Sequence, residues 1–179
     1  MGKTLEGINL YLIFLLMKTL FIIRHAKSSW NIKTLNDFDR PLNDRGHQDA
    51  PMMAKRLLSK NISIECFISS PAKRALTTAQ YFAKAFNKQE NSIIKIPFLY
   101  HAASAVFYSV ISEIENQYSS VAIFSHNPGI THFVNELTNT KVDNMPTCGV
   151  FAVKITSSKW VDFLNSDKEF LFLDYPKSL

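Results

Sequence analysis

Four side chains with matching chemistry stand at matching places in this chain: Arg24, His25, Arg74 and His126. Arg24-His25 closes the apolar run Thr19 to Ile23, Arg74 follows the run IECFIS at 64–69, and His126 follows SSVAIFS at 119–125. An arginine offers a planar fork of donors that fits a phosphate or carboxylate. A histidine offers a nitrogen that is neutral near pH 7 and can act as nucleophile or base. Two arginines and two histidines around one cleft suit a dianionic phosphoryl group. His25 would attack phosphorus and form a phosphohistidine, which water then hydrolyses. Arg24, Arg74 and a protonated His126 would hold the equatorial oxygens as charge spreads over them. Fixed cations do this work without a metal, so neither metal nor cofactor is expected. Each residue alone also has a bland reading, Arg74 as a solvated helix face and His126 as a loop residue satisfied by backbone. Those readings weaken when all four fall at strand ends.

For the four to meet, their strands must be parallel, so that the carboxyl ends share one edge of a sheet. Thr19 to Ile23 reads as a strand buried on both faces. Asn43 caps a helix expected over Asp44 to Ser59, with apolar Ala50, Met53, Ala54, Leu57 and Leu58 at helical spacing and a kink or later start at Pro51. A second strand is expected at 64–69. Pro71 then starts a helix running to Phe86, with Arg74 in its first turn. A short strand at 93–96, a helix over 104–118, a strand at 119–125 and a helix from 128 to 137 follow, the last offering backbone donors to an anion. Strands at 149–156 and 169–174 lack a helix between them and suggest antiparallel or edge pairing. The class is α/β, a sheet covered on both faces by helices.

The 179 residues suit a single domain with a substantial core. Hydrophobic residues make up 46% and charged residues 20%, ordinary for a globular protein. The net charge of +5 is too small, and lysine and arginine too dispersed, to indicate nucleic acid. Cys66 and Cys148 match no metal spacing and read as reduced thiols in a cytoplasmic protein. The apolar run at 8–17 is too short for a membrane span and lacks a signal-peptidase site. Residues 1–16 are read as an extension upstream of a second start at Met17, with the domain over 17–179. Trp30 and Trp160 read as packing residues, and His47 and His132 as surface or satisfied ones.

The runs RHAKSSWN at 24–31, DFDRPLNDRG at 37–46 and SHNPG at 125–129 together resemble the histidine phosphatase superfamily, and within it the small SixA-type phosphohistidine phosphatases. The resemblance covers roughly residues 17–175. It implies a phosphoglycerate-mutase-like three-layer α/β/α sandwich, with a mostly parallel sheet and an antiparallel edge. It implies His25 as nucleophile, Arg24, Arg74 and His126 as phosphate ligands, and Asn31 at a phosphate-pocket position. The substrate it implies is a phosphoprotein or a small phosphorylated molecule. Two features depart from the family. Ala26 replaces the glycine of Arg-His-Gly, and no carboxylate follows the third strand, where the chain reads Phe98-Leu99-Tyr100-His101. His101 either donates the leaving-group proton or lines the rim, with Asp37 and Asp39 as alternative acids. Asp39 is otherwise expected to pair with Arg40 or Arg45. A weak acid suits the labile P–N bond of phosphohistidine. A small-molecule phosphomonoesterase and an inactive phosphate-binding module are the other readings.

Overall fold

A computed structural model of the chain describes residues 17–30 and 36–178. The expectations for residues 1–16 and for Asn31 lie outside the described residues. Among these, strands β1 (Lys18–Arg24), β2 (Cys66–Ser69), β3 (Ile94–Lys95), β4 (Ser120–Ser125), β5 (Val150–Ile155) and β6 (Lys168–Asp174) form one sheet in the order β3-β2-β4-β1-β5-β6. The pairings among β3, β2, β4 and β1 are parallel, and those of β1 with β5 and β5 with β6 are antiparallel. Helices α1 (Asp44–Ser59), α2 (Lys73–Ala85), α3 (Ser104–Ser112) and α4 (Gly129–Leu137) complete the fold.

The sheet divides the core in two because successive strand residues point to opposite faces. Leu20, Ile22, Val121 and Ile123 face Phe107, Phe133 and Trp160, beneath α3 and α4. Phe21, Ile23, Ala122 and Phe124 face Met53, Leu57 and Phe82, beneath α1 and α2. A strand apolar at every position is therefore what this sandwich requires of β1.

Four details differ from the sequence reading. Helix α1 runs unbroken through Pro51, with the Asn43 side chain accepting from Gly46 N at 3.0 Å. Strand β2 begins at Cys66, where its pairing with β4 begins at Val121. Helix α2 begins two residues after Pro71. Helix α3 stops at Ser112 instead of 118, because tertiary bonds claim the following backbone. Lys18 Nζ donates to the carbonyls of Asn116 at 2.7 Å and Tyr118 at 3.0 Å, and Trp160 Nε1 donates to Tyr118 at 2.8 Å. Trp160 is fully buried, a packing residue. Among the described residues no helix is long and apolar enough to cross a membrane.

Gly129, at the start of α4, marks the closest approach between the two segments that carry His126 and His101. A Cβ placed there would lie 1.7 Å from the Ala102 carbonyl oxygen, which is backbone and cannot turn aside. Gly129→Ala is expected to destabilise by about 1–3 kcal/mol, the usual cost of overpacking. Urea denaturation against the parent chain measures this, and an unchanged midpoint would mean the two segments separate freely.

Candidate active site

The register of the sheet brings the two imidazoles together. Arg24 of β1 pairs in parallel with Ser125 of β4, so the next residues, His25 and His126, emerge side by side at the carboxyl edge. His25 N donates to Ser125 O at 3.1 Å, and the two rings lie 5.0 Å apart, centroid to centroid. Strand β2 lies on the other side of β4, and Arg74 enters from the first turn of α2 just beyond it. Arg74 Nε is 3.3 Å from His25 Nε2. Arg24, His25, Arg74, His101 and His126 all line one cavity of about 290 Å³, with Lys27, Trp30, Asp37 and Arg40. A larger hollow of about 400 Å³ opens at the amino ends of β1 and β4, but no histidine or arginine lines it.

The tautomer of His25 follows from its neighbours. Nδ1 lies 2.7 Å from the Ala26 carbonyl oxygen. A carbonyl only accepts, so Nδ1 carries the proton. That leaves a lone pair on Nε2, where Arg74 Nε–H donates in the empty site. The loop after β1 is held in turn by Ala26 N, which donates to Thr78 Oγ1 of α2 at 3.0 Å. Ala26 is fully buried and needs no left-handed backbone, so a methyl group fits where the family has glycine.

Asp37 organises the mouth. Its carboxylate accepts from Arg74 Nη2 at 2.8 Å and Tyr100 Oη at 2.8 Å, pairs with Arg40 at 3.1 Å, and stands 3.6 Å from His101 Nε2. Burial by itself would raise its pKa. The hydrogen bond from Tyr100 and the charges of Arg74 and Arg40 outweigh that and hold it below the usual carboxylate range. A carboxylate held ionised in this way is suited to anchoring the cations at the mouth rather than to donating a proton. The pairing expected of Asp39 is corrected too. Arg40 pairs with Asp37, and Arg45 with Asp49 one helical turn on. Asp39 lies in a turn in which its own amide donates to Asn36 Oδ1.

Burial lowers the pKa of His25 to about 3, against the opposing Ala26 hydrogen bond and with help from Arg74, Arg24 and Arg40. Burial, then His25 and Arg74, likewise push His126 far below its ordinary value. Burial thus favours a neutral His126 in the empty site, whereas the protonated form expected from sequence belongs to a site that holds a phosphoryl group. An entering dianion would supply the charge that lets it take up a proton. His126 Nε2 lies 2.9 Å from Ser70 Oγ, while its buried Nδ1 has no partner among the described residues. Of the backbone donors expected from α4, Ile130 N is spent on His126 O and Thr131 N on Pro128 O.

Ser70, Thr78 and Arg40 are neighbours of this site that sequence reasoning missed. Ser70 alone had a signal, a hydroxyl at the end of β2 ahead of a helix. Trp30 is 72% exposed and is not a packing residue. His132 is exposed, and His47 Nδ1 lies 2.9 Å from Tyr81 Oη, both away from the cavity. The described residues contain no group of three or more His, Cys, Asp or Glu able to hold a metal ion.

The family model of the histidine phosphatase superfamily (branch 1) matches residues 20–96. The match spans 77 of the 179 residues and holds most of β1, His25 and Arg74 but not His126. An uncharacterized chloroplastic protein of Arabidopsis thaliana is 26% identical over 151 residues, 80% of this chain and 69% of that one. A 2,3-bisphosphoglycerate-dependent phosphoglycerate mutase of Thermoplasma acidophilum is 43% identical over 75 residues, which span 40% of this chain and only 36% of the mutase. Among solved structures, the protein histidine phosphatase SixA complexed with tungstate superposes with a TM-score of 0.75 at 22% identity, covering 88% of this chain and 97% of SixA. A phosphoserine phosphatase mutant from Entamoeba histolytica, in complex with phosphoserine, gives a TM-score of 0.64 at 14% identity over 89% and 98% of the two chains. The structural likenesses establish a phosphoglycerate-mutase-like fold for this chain.

The two neutral imidazoles make stability depend on pH. Their folded pKa values lie below the unfolded value near 6.5, so the unfolded chain binds more protons in acid. The stability that the neutral rings contribute is whole above about pH 6.5 and is lost as pH falls toward 3. The expected slope is on the order of 1 kcal/mol per pH unit for each ring between about pH 6 and 4. His126→Gln should flatten the profile by one proton, as measured by urea denaturation at several pH values. An unchanged slope would show that His126 is already charged in the folded state.

Proposed function

We propose that this protein is a phosphatase acting through a covalent phosphohistidine on His25, with phosphohistidine or a related phosphoryl compound as substrate. The observation that carries this reading is the buried His25 ring. Its proton is fixed on Nδ1 by Ala26, and its Nε2 lone pair faces a cavity lined by Arg24, Arg74 and Arg40. A neutral, oriented nitrogen among fixed cations is what attack on a dianionic phosphoryl group needs. Substrate entry would break the Arg74 Nε to His25 Nε2 contact, freeing the lone pair and one guanidinium donor together. Nε2 then bonds to phosphorus as the bond to the leaving group breaks. Water next attacks the phosphohistidine, returning the electron pair to Nε2 and releasing orthophosphate. Arg24, Arg74 and His126, once protonated, hold the equatorial oxygens.

The fold and family support this reading, and so do the relatives. Some are named phosphatases and others mutases, whose matched segments cover only 36–41% of their length. The chain is proposed to act as a single domain over 17–179, in the cytoplasm, on a phosphoprotein or a small phosphorylated molecule. His101 supports the choice of a labile leaving group. It is 57% exposed at the rim and sits in a left-handed backbone conformation (φ 53°) beside Asp37. An exposed imidazole is a less confined proton donor than a buried carboxylic acid.

His25→Ala is expected to abolish turnover while circular dichroism stays unchanged, and Arg74→Ala to cost at least about a hundredfold in kcat. Activity should persist in EDTA. Retained activity in His25→Ala would refute the covalent mechanism, and a wild type that binds phosphate without turnover would leave the phosphate-binding module as the better account.

Phosphohistidine peptides and aryl phosphates should be turned over faster than glycerol phosphate, whose alkoxide needs a proton delivered as it leaves. His101→Ala should lower kcat/KM more for glycerol phosphate than for the others. A wild-type preference for alkyl phosphates would favour the small-molecule phosphomonoesterase reading.

A further inference from the structure

One large aromatic ring at the cavity has no place in the steps above. Trp30 lies five residues beyond His25 and lines the same cavity as the imidazoles, yet it is 72% exposed. An exposed tryptophan is costly, since it leaves a large apolar surface in water. Here the ring is held on one face. The Arg40 guanidinium carbon sits 3.4 Å from the ring centroid, a cation–π stack. Arg40 is itself fixed by Asp37 at 3.1 Å. Two of its buried nitrogens, Nε and Nη1, have no hydrogen-bond partner among the described residues, so beyond its pairing with Asp37 the guanidinium is given to the ring. The cavity therefore has a floor of two cations, Arg24 and Arg74, and two neutral imidazoles, with a flat aromatic wall at its mouth. Other exposed aromatics differ. Phe98 is 78% exposed and does not line the cavity.

We propose that Trp30, stacked on Arg40, is the leaving-group platform of this site: it receives the face of a planar ring that carries the phosphoryl group. The ligand class is an imidazolyl or aryl phosphate. The inference rests on the phosphatase reading for its chemistry, and on the Trp30–Arg40 stack for its geometry. A ring packed on the open face of Trp30 would leave its phosphoryl group over the arginines and His25. An alkyl phosphate would find the same cations but no partner for the wall. Trp30 would then set selectivity among substrates without touching the reacting atoms.

The test uses binding, so that it stands apart from turnover. The affinities of phenylphosphonate and methylphosphonate, neither of which can be hydrolysed by loss of an oxygen or nitrogen leaving group, are measured by calorimetry for wild type, Trp30→Ala and Trp30→Phe. Wild type should prefer phenylphosphonate. Trp30→Ala should weaken phenylphosphonate roughly three- to tenfold more than methylphosphonate, the size of one aromatic stack, and Trp30→Phe should recover most of the difference. Kinetics with phosphoimidazole and phenyl phosphate then tell which planar ring is preferred. Equal weakening of both phosphonates would mean that Trp30 only supports Arg40, and would overturn the proposal. So would no weakening, or a wild type that does not distinguish the two ligands. If the ring preference is found but no phosphate is turned over, the phosphatase reading falls and the leaving-group role falls with it, leaving Trp30 as a platform for ring binding alone.

Discussion

The buried guanidinium of Arg74 is the interaction on which the rest of the site depends. The residue is almost wholly removed from water. A cation so placed is tolerable only with a well-positioned counterion. Asp37 is that counterion, and it serves Arg40 and Tyr100 as well. One carboxylate thus ties together the loop after β1, the first turn of α2 and the segment at 97–101. Lys73 N adds a bond to Phe38 O at 3.0 Å, which docks the same loop on the helix start. Were Asp37 lost, the buried charge would lack its partner and three pieces of chain would lose a common anchor.

The same guanidinium reinforces the protonation state that burial gives its neighbours. Burial is the first reason that His25 and His126 are neutral, and the charge of Arg74 reinforces it for both. A site prepared for an anion is in this sense over-supplied with positive charge when empty. It responds by keeping its titratable rings uncharged and by turning Arg74 toward Asp37 and the His25 lone pair. An oxyanion can relieve both at once. That gives the arrangement differential affinity for a charge that grows as the reaction proceeds, which is where catalytic stabilisation comes from.

Much of this was legible in the sequence, for identifiable reasons. A strand apolar at every position from Leu20 to Ile23 suits burial on both faces, which a central strand has. Asn43 three residues ahead of Gly46 fixed the start of α1, because a side-chain cap is local chemistry. Arg24, His25, Arg74 and His126 stood out because each directly followed an apolar run or opened the next helix, and parallel strands gather such positions along one edge. The family resemblance then added Asn31, at a position outside the described residues.

What the chain alone determined was therefore the local and the periodic: which segments are strands, which residues follow them, and which side chains could do chemistry. What only the tertiary structure decided was who meets whom and in which charge state. Whether Asp37 or Asp39 pairs with Arg40 depends on which way a turn faces. Trp30 stacks on Arg40 at the mouth of the cavity, nowhere near the core, which no propensity records. The neutrality of His126 is a property of its burial and of the charge of Arg74, far away in the chain but held beside it by the order of β2, β4 and β1. Desolvation and long-range charge depend on distances in space, and those exist only once the sheet has formed.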